Sequence, residues 1–255
     1  MSTALITGAS AGLGLEFAWQ LATAKHNVVL VARDGERLDR LAGQLRAAAG
    51  VRTEVIVADL ADRAQVEVVA ARLGQVSHPV GLLVNNAGFG LAQPFVGGDL
   101  AREEDALAVM VRAVLVLSHT AAGAMVQRGR GAILNVASVA ALLASGSYAA
   151  HKAWVRTFTE GLAVELRGTG VSATALCPGL VRTEFHRRGG IDVSALPAAT
   201  FLNPEDVVAA ALADVRRGVV ISTPSLRYKA AAAAIRVAPR WKVRAFERYR
   251  RNPGR

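Results

Sequence analysis

Tyr148 and Lys152 stand four residues apart, and Ser138 lies ten residues before the tyrosine. On a helix the side chains at i and i+4 share a face, so this phenol and this ammonium can approach each other. A free tyrosine, with a pKa of about 10, is a poor base at neutral pH. A fixed cation nearby favours the phenolate and lowers that value, which would make Tyr148 a usable proton donor or acceptor. Ser138, delivered by a neighbouring strand, can hydrogen-bond a substrate oxygen as its charge changes. Together the three residues suit chemistry at a carbonyl or an alcohol. A tyrosine–lysine pair at this spacing also occurs on plain solvated helix faces, so the surrounding elements decide.

Those elements alternate. Ile133-Leu134-Asn135-Val136 reads as a buried strand ending at Ser138, and a helical pattern follows from Tyr148 to Arg167. At the start of the chain, Ala4 to Thr7 predicts a short buried strand. Gly8-Ala9-Ser10-Ala11-Gly12-Leu13-Gly14 follows at once, then an amphipathic helix through Leu15, Phe17, Ala18 and Leu21. Strand, glycine turn and helix build a phosphate site, because glycines let the backbone approach a pyrophosphate and the helix N-terminus offers free N–H groups. The second strand, Asn27 to Ala32, ends where an acid usually holds the ribose hydroxyl of NAD. Here Arg33 follows Ala32, which favours a 2′-phosphate and points to NADP(H).

A third strand, Thr53 to Ala58, delivers Asp59, whose carboxylate can accept from an adenine amino group. A fourth, Gly81 to Val84, stops at Asn85-Asn86-Ala87-Gly88. Val171 to Leu176 is the sixth, closed by Cys177-Pro178-Gly179, and Val219 to Ser222 the seventh. Helices are expected over 36–49 and 64–73 and, as one long element, 101–128. This rhythm predicts an α/β fold with a single doubly wound parallel sheet of Rossmann type and helices on both faces. In such sheets ligands bind at the carboxyl ends of the strands, where every motif above falls. One domain is expected over 1–224, followed by a basic helical extension over 225–255.

A hydrophobic content of 52% with only 5% aromatics predicts a large core built mostly of Ala, Val and Leu. The single cysteine, Cys177, rules out an internal disulfide framework and fits a reducing compartment. The five histidines are scattered without metal-ligand spacing, so no metal is expected. No basic segment precedes the first apolar residues; a signal peptide is not expected, and a cytoplasmic location is. The net charge of +10 is unevenly placed. Residues 225–255 hold ten Lys and Arg against Glu247 alone, a balance of +9 that leaves +1 for the first 224 residues.

With these motifs in order, residues 3 to 224 resemble the short-chain dehydrogenase/reductase family. Thr7-Gly8-x-x-x-Gly12-x-Gly14 is similar to its cofactor fingerprint, Asn85-Asn86-Ala87-Gly88 to its sheet-supporting turn, and Pro178-Gly179 with Thr183 to its nicotinamide-holding segment. The resemblance implies reversible hydride transfer between NADP(H) and a carbonyl/alcohol pair, with Ser138, Tyr148 and Lys152 as the catalytic residues. In that reading Lys152 also binds the nicotinamide ribose. It implies cofactor contacts by Gly8, Ser10, Gly12, Leu13 and Gly14 in the first turn, and by Arg33, Asp59 and Leu60 after the next strands. Further contacts fall to Asn86, Ala87 and Gly88, to Tyr148 and Lys152, and to Pro178, Gly179, Val181 and Thr183.

Two departures stand out. Met110 occupies the place of a family asparagine that kinks the long helix and positions a water beside the lysine, and a thioether binds water poorly. Ser138 is also nearer to Tyr148 than the dozen or so residues usual in the family, which leaves Ser145 or Ser147 as substitutes. A non-catalytic NADPH-binding regulator of the same fold is the alternative; it gains from Met110 and loses from the intact Ser–Tyr–Lys set. The segment 184–203 mixes Phe185, Ile191, Val193, Leu196 and Phe201 with His186, Arg187 and Arg188. Such a composition suits a cover over an apolar carbonyl substrate, for example a fatty acyl, steroid or lipid-derived ketone, and equally a cover whose apolar residues only pack it down. In the extension, Trp241, Ala245, Phe246 and Tyr249 fall on one helical arc and Arg240, Arg244, Arg248, Arg250 and Arg251 on the other. That pattern fits a peripheral contact with an anionic membrane or packing on the body or a second subunit, and a homo-oligomer is expected. No aromatic platform or reading motif supports a nucleic-acid partner.

Overall fold

Runs of Val, Leu, Ile and Ala too short for helices and too apolar for loops make the strands. The computed structural model describes residues 2–194 and 196–251, with the side chains of Phe246 and 248–251 outside the described set. The strands are β1 (Thr3–Thr7), β2 (Asn27–Ala32), β3 (Thr53–Val57), β4 (Val80–Asn85), β5 (Gly131–Val136), β6 (Val171–Leu176) and β7 (Ile221–Ser222). They form one parallel sheet in the order β3-β2-β1-β4-β5-β6-β7. All five residues of β1 are buried, as a central strand covered on both faces requires.

The helices are α1 (Gly12–Thr23), α2 (Gly35–Ala49), α3 (Arg63–Gly74), α4 (Leu100–Leu107), α5 (Ala113–Gln127), α6 (Gly146–Glu165), α7 (Phe185–Arg188), α8 (Pro204–Arg216), α9 (Leu226–Val237) and α10 (Arg240–Arg251). On one face Phe17 of α1, Leu38 and Leu45 of α2 and Val207 of α8 share a core with Ile6 and Leu30. On the other, Val66 and Leu73 of α3 and Leu117 and Met125 of α5 pack on Leu5, Leu83 and Ile133. The doubly wound arrangement expected from the alternation is therefore present. Its reversal point lies between β1 and β4, where a crevice opens at the carboxyl ends.

Several boundaries differ from expectation, each for a local reason. β5 ends at Val136, because Ser138 caps a short 3₁₀ turn, Val139–Leu142, accepting from the Ala140 N–H at 3.1 Å. α6 begins at Gly146, so Tyr148 stands in its first turn. β7 has only two residues, paired at the edge of β6. The expected long helix runs from Leu100 to Gln127 but passes through a π turn at Ala108–Arg112, which contains Met110. This helix is apolar and long enough to cross a membrane by length and composition. Its Ala113, Leu117, Ala121 and Met125 nevertheless lie in the core against the sheet.

Between β4 and β5 sits a buried polar chain. Asn85 and Asn135 are direct partners in the sheet register. The Asn85 amide donates to Asn135 Oδ1 at 2.9 Å and to Ser118 Oγ at 3.1 Å, and the Asn135 amide donates to Thr159 Oγ1 at 2.9 Å. One strand pair is thereby tied to α5 and α6 through satisfied polar groups.

The extension folds back on the body. Arg240 donates to the Leu142 carbonyl at 2.9 Å, Arg236 lies 3.8 Å from Glu160 of α6, and Val243 is buried. Of the amphipathic arc expected in the last helix, Phe246, Arg248, Tyr249, Arg250 and Arg251 have side chains outside the described residues. Trp241 is exposed.

Candidate active site

The glycine turn is built for close approach. Gly8 and Gly12 adopt left-handed backbone angles, φ +67° and +56°, which side chains disfavour. A Cβ on Gly14 would stand 2.2 Å from the Gly8 carbonyl oxygen, so α1 starts as close to the turn as glycine allows. Ala11, at the N-cap of α1, provides no side-chain hydrogen bond to the first amides. Those N–H groups point to the carboxyl edge of the sheet, the arrangement that binds a pyrophosphate. Asn86 stabilises the turn, its amide donating to the Thr7 carbonyl at 2.9 Å, while Thr7 Oγ1 accepts from the Asn86 and Ala87 N–H groups at 3.0 Å each.

A cleft of about 680 Å³ extends from this turn over the ends of β2 and β3. Of the residues expected to bind cofactor, Gly8, Ser10, Arg33, Asp59, Leu60, Ala87 and Gly88 line it. Thr183 lies over Gly12, within 3.4 Å of where a Cβ would stand, so the segment after β6 closes onto the glycine turn. Three expected contacts take another orientation. The Asn86 side chain is spent on the turn, and Leu13 and Val181 pack into the α1 side of the core. None of the three lines the cleft. Arg33 forms a 3.8 Å ion pair with Asp59, both partly exposed.

Arg37, Arg102 and Arg188 also line the cleft, and sequence reasoning missed them. Arg37, one turn beyond Arg33 in the first turn of α2, was the one with a signal, its spacing from Arg33. Arg102 and Arg188 come from α4 and α7 and meet the others only through the fold. Arg37 is shared between Asp34 at 3.3 Å and Glu184 at 3.6 Å. Four guanidinium groups border the cleft together with the carboxylates of Asp34, Asp59 and Asp105, and the uncapped helix start matches a pyrophosphate. The residues present thus fit a nicotinamide dinucleotide.

Beside Phe185, which lines the cleft, Ser138 lies close enough to Tyr148 to favour its phenolate, despite their short separation in sequence. The 3₁₀ turn that Ser138 caps makes this possible by returning the chain directly to α6. Ser147 lies near the buried Glu103 of α4, whose Oε1 accepts from Gln93 at 3.0 Å. Ser138, not Ser147, is the serine that acts on the phenol. Phe185 of α7 covers Tyr148, with ring centres 5.8 Å apart at 54°.

The expected electrostatics need correction. Burial pushes the Tyr148 phenol well above its ordinary value, and nearby Ser138 only partly offsets this. Lys152 Nζ lies 5.8 Å from the centre of the Tyr148 ring and donates to the Val136 carbonyl at 2.7 Å. Its own pKa falls to about 8, because burial disfavours the ammonium. Burial, not the neighbouring lysine, sets the direction of the phenol's shift. Met110 is buried beside Gly88: a Cβ on that glycine would stand 3.3 Å from the Met110 thioether and 3.6 Å from Lys152 Nζ. The π turn thus keeps a helix distortion beside the lysine, with sulfur where the family has an amide. Among the described residues no His, Cys, Asp and Glu cluster could hold a metal ion.

Comparison with known proteins agrees with this geometry. The family described as short chain dehydrogenase matches residues 2–191. A short-chain dehydrogenase from Sphingobium yanoikuyae, solved in complex with NADPH, is 36% identical with a TM-score of 0.85, over 92% of this chain and 93% of that one. A bulky-bulky ketone specific alcohol dehydrogenase from Comamonas testosteroni is 32% identical with a TM-score of 0.81, over 92% of both chains. Galactitol 2-dehydrogenase (L-tagatose-forming) from Cereibacter sphaeroides is 37% identical over 187 residues, 71% of this chain and 72% of its own. The chain belongs to the short-chain dehydrogenase family, and is an oxidoreductase acting between CH–OH and C=O groups.

Proposed function

We propose that this protein interconverts a carbonyl and an alcohol on an apolar substrate using NADP(H), with Tyr148 as the acid/base. The observation that carries this reading is the Tyr148 ring with Lys152 Nζ 5.8 Å from its centre and Phe185 packed over it, the same Phe185 that lines the cleft beside the glycine turn. A bound nicotinamide supplies or accepts the hydride. Gly8, Gly12 and the start of α1 hold the pyrophosphate, Arg33 with its neighbouring arginines takes the 2′-phosphate, and Thr183 supports the nicotinamide end. Tyr148 gives its proton to the substrate oxygen in the reducing direction and takes one in the other. Tyr148 is not shifted below the ordinary phenol value, so it is protonated at neutral pH and can serve first as an acid. Ser138 hydrogen-bonds the same oxygen and stabilises its developing charge. Lys152 holds positive charge beside the ring.

The apolar cover supports an apolar substrate, since Phe185, His186 and Phe201 pack edge to face above the tyrosine. In this reading the cover, not the catalytic set, selects the substrate. The reading includes a cytoplasmic homo-oligomer: Leu115 and Val126 are exposed three turns apart on one face of α5. It also includes a peripheral contact of the extension with an anionic membrane. Exposed Leu226, Val237 and Trp241 there stand among lysines and arginines, a composition suited to such a surface.

NADPH oxidation against aldehydes and ketones of increasing chain length tests the activity. Turnover should rise with apolar bulk and fall at least ~10²-fold in Tyr148→Phe, while NADPH affinity stays near that of the parent. Near-normal turnover in the variant would remove Tyr148 from the chemistry and favour the non-catalytic regulator.

A further inference from the structure

Tyr228, near the start of α9, reaches back to the segment after β6. Its hydroxyl accepts from the Leu180 N–H at 3.2 Å and donates to the Thr200 carbonyl at 2.9 Å. Leu180 and Thr200 lie at opposite ends of the cover. These ends are already apposed, because Val181 and Leu202 form a single parallel bridge. The Leu202 N–H donates to the Leu180 carbonyl at 2.8 Å and the Arg182 N–H to the Leu202 carbonyl at 3.0 Å. One hydroxyl therefore touches both ends of the same loop.

The ring is seated as firmly as the hydroxyl. A Cβ on Gly179 would stand 2.1–2.3 Å from its carbon atoms, so glycine there leaves the space that the ring fills. Arg227 donates to the carbonyl oxygens of Ala199, Thr200 and Phe201, and its guanidinium lies 5.4 Å from the Tyr228 ring centre. Among the described residues the cover's regular structure is the four residues of α7 and a three-residue turn, Ala198–Thr200. Apart from the bridge, its main-chain hydrogen bonds join near neighbours in the chain, so its orientation over the site depends on contacts with the rest of the protein.

We propose that Tyr228 is a positioning residue: through it the extension straps both ends of the cover and fixes the 178–183 turn for the dinucleotide. This rests on the reading that the turn holds the nicotinamide half of NADP(H). The strap acts at the hinge, where loops absorb the backbone rotations of opening and closing. Because α7 carries Phe185, slack in the strap also lifts the ring that covers Tyr148.

Tyr228→Phe keeps the ring on Gly179 and removes both hydroxyl contacts. Arg227→Gln loosens only the carbonyl side, and Lys229→Ala, an exposed neighbour, serves as control. Limited trypsin digestion of the full chain reads cover opening at Arg187 and Arg188, and fluorescence titration reads NADPH affinity. Tyr228→Phe and Arg227→Gln should each cleave several-fold faster at these arginines and bind NADPH several-fold more weakly, with cooperative unfolding retained. The control should match the parent. Unchanged cleavage in both variants overturns the strap, and faster cleavage with unchanged NADPH affinity overturns its role in positioning. A parent protein that binds no NADPH overturns the cofactor reading and the proposal with it, a result visible before any variant is made.

Discussion

Lys152 shows how burial redirects a side chain whose role the sequence suggested. Its ammonium is held in a site that lowers its pKa from 10.5 to about 8. Between those values the unfolded chain binds a proton that the folded chain has released, so stability contributed by this group rises with pH across the window. Tyr148 and Cys177 act oppositely at higher pH, since burial raises both and their protons are then retained by the folded state. Lys152→Met removes the first effect alone. Denaturant unfolding at pH 7.5 and 9.5 should show the parent gaining about 1–2 kcal/mol on the variant, the free energy of one proton released across most of this window. A gap independent of pH would mean that the ammonium is not held at this cost. That Tyr148 and Lys152 share one face was legible because their spacing fits the helix that forms there. Their electrostatics were not, because burial by Phe185 comes from a segment 37 residues beyond the tyrosine.

The elements divide along the same line. β1, the glycine turn and α1 were readable residue by residue, since each local preference agrees with the fold: apolar strand, glycines at positive φ, amphipathic helix. The π turn at Met110 was not, because it shifts one hydrogen-bond register without any glycine or proline to mark it. Nor was the convergence of Arg37, Arg102 and Arg188 on the end of β2, which requires α2, α4 and α7 to border one cleft. That convergence sharpens the cofactor prediction. Arg33 is exposed and paired with Asp59, so it is free to turn to a phosphate. The parent should bind NADPH more tightly than NADH, and Arg33→Ala should remove part of the difference while the neighbouring arginines retain the rest. Paired titrations with the two dinucleotides decide it; equal affinities in the parent would end the assignment.

At the scale of the whole molecule, charge and fold are separated. The body is close to neutral, and the last 31 residues carry +9. The amphipathic pattern left packing and membrane contact both open, and the extension does pack: Tyr228 and Arg236 of α9 and Arg240 of α10 reach the body. Leu226, Val237 and Trp241 remain exposed beside the basic side chains. Each lysine or arginine near an anionic surface contributes about 1 kcal/mol, so several give reversible attachment. The intact chain should co-sediment with vesicles rich in anionic lipid at low salt, release at high salt, and ignore neutral vesicles. Absence of binding to anionic vesicles at low salt would leave the extension a purely internal element.

The amide chain at Asn85 and Asn135 bears on how such a sheet is assembled without error. Parallel strands this rich in Val, Leu and Ala offer little to distinguish one alignment from the next, for a slip exchanges one apolar residue for another. Two asparagines facing each other at the buried centre change that. Any displaced pairing strands an amide in hydrocarbon at about 1–3 kcal/mol for each lost partner. Thr159 and Ser118 extend the demand to α5 and α6, which must arrive with their hydroxyls in place. The polar thread through the core therefore works as a proofreader of assembly, rejecting near-correct arrangements that hydrophobic burial alone would accept.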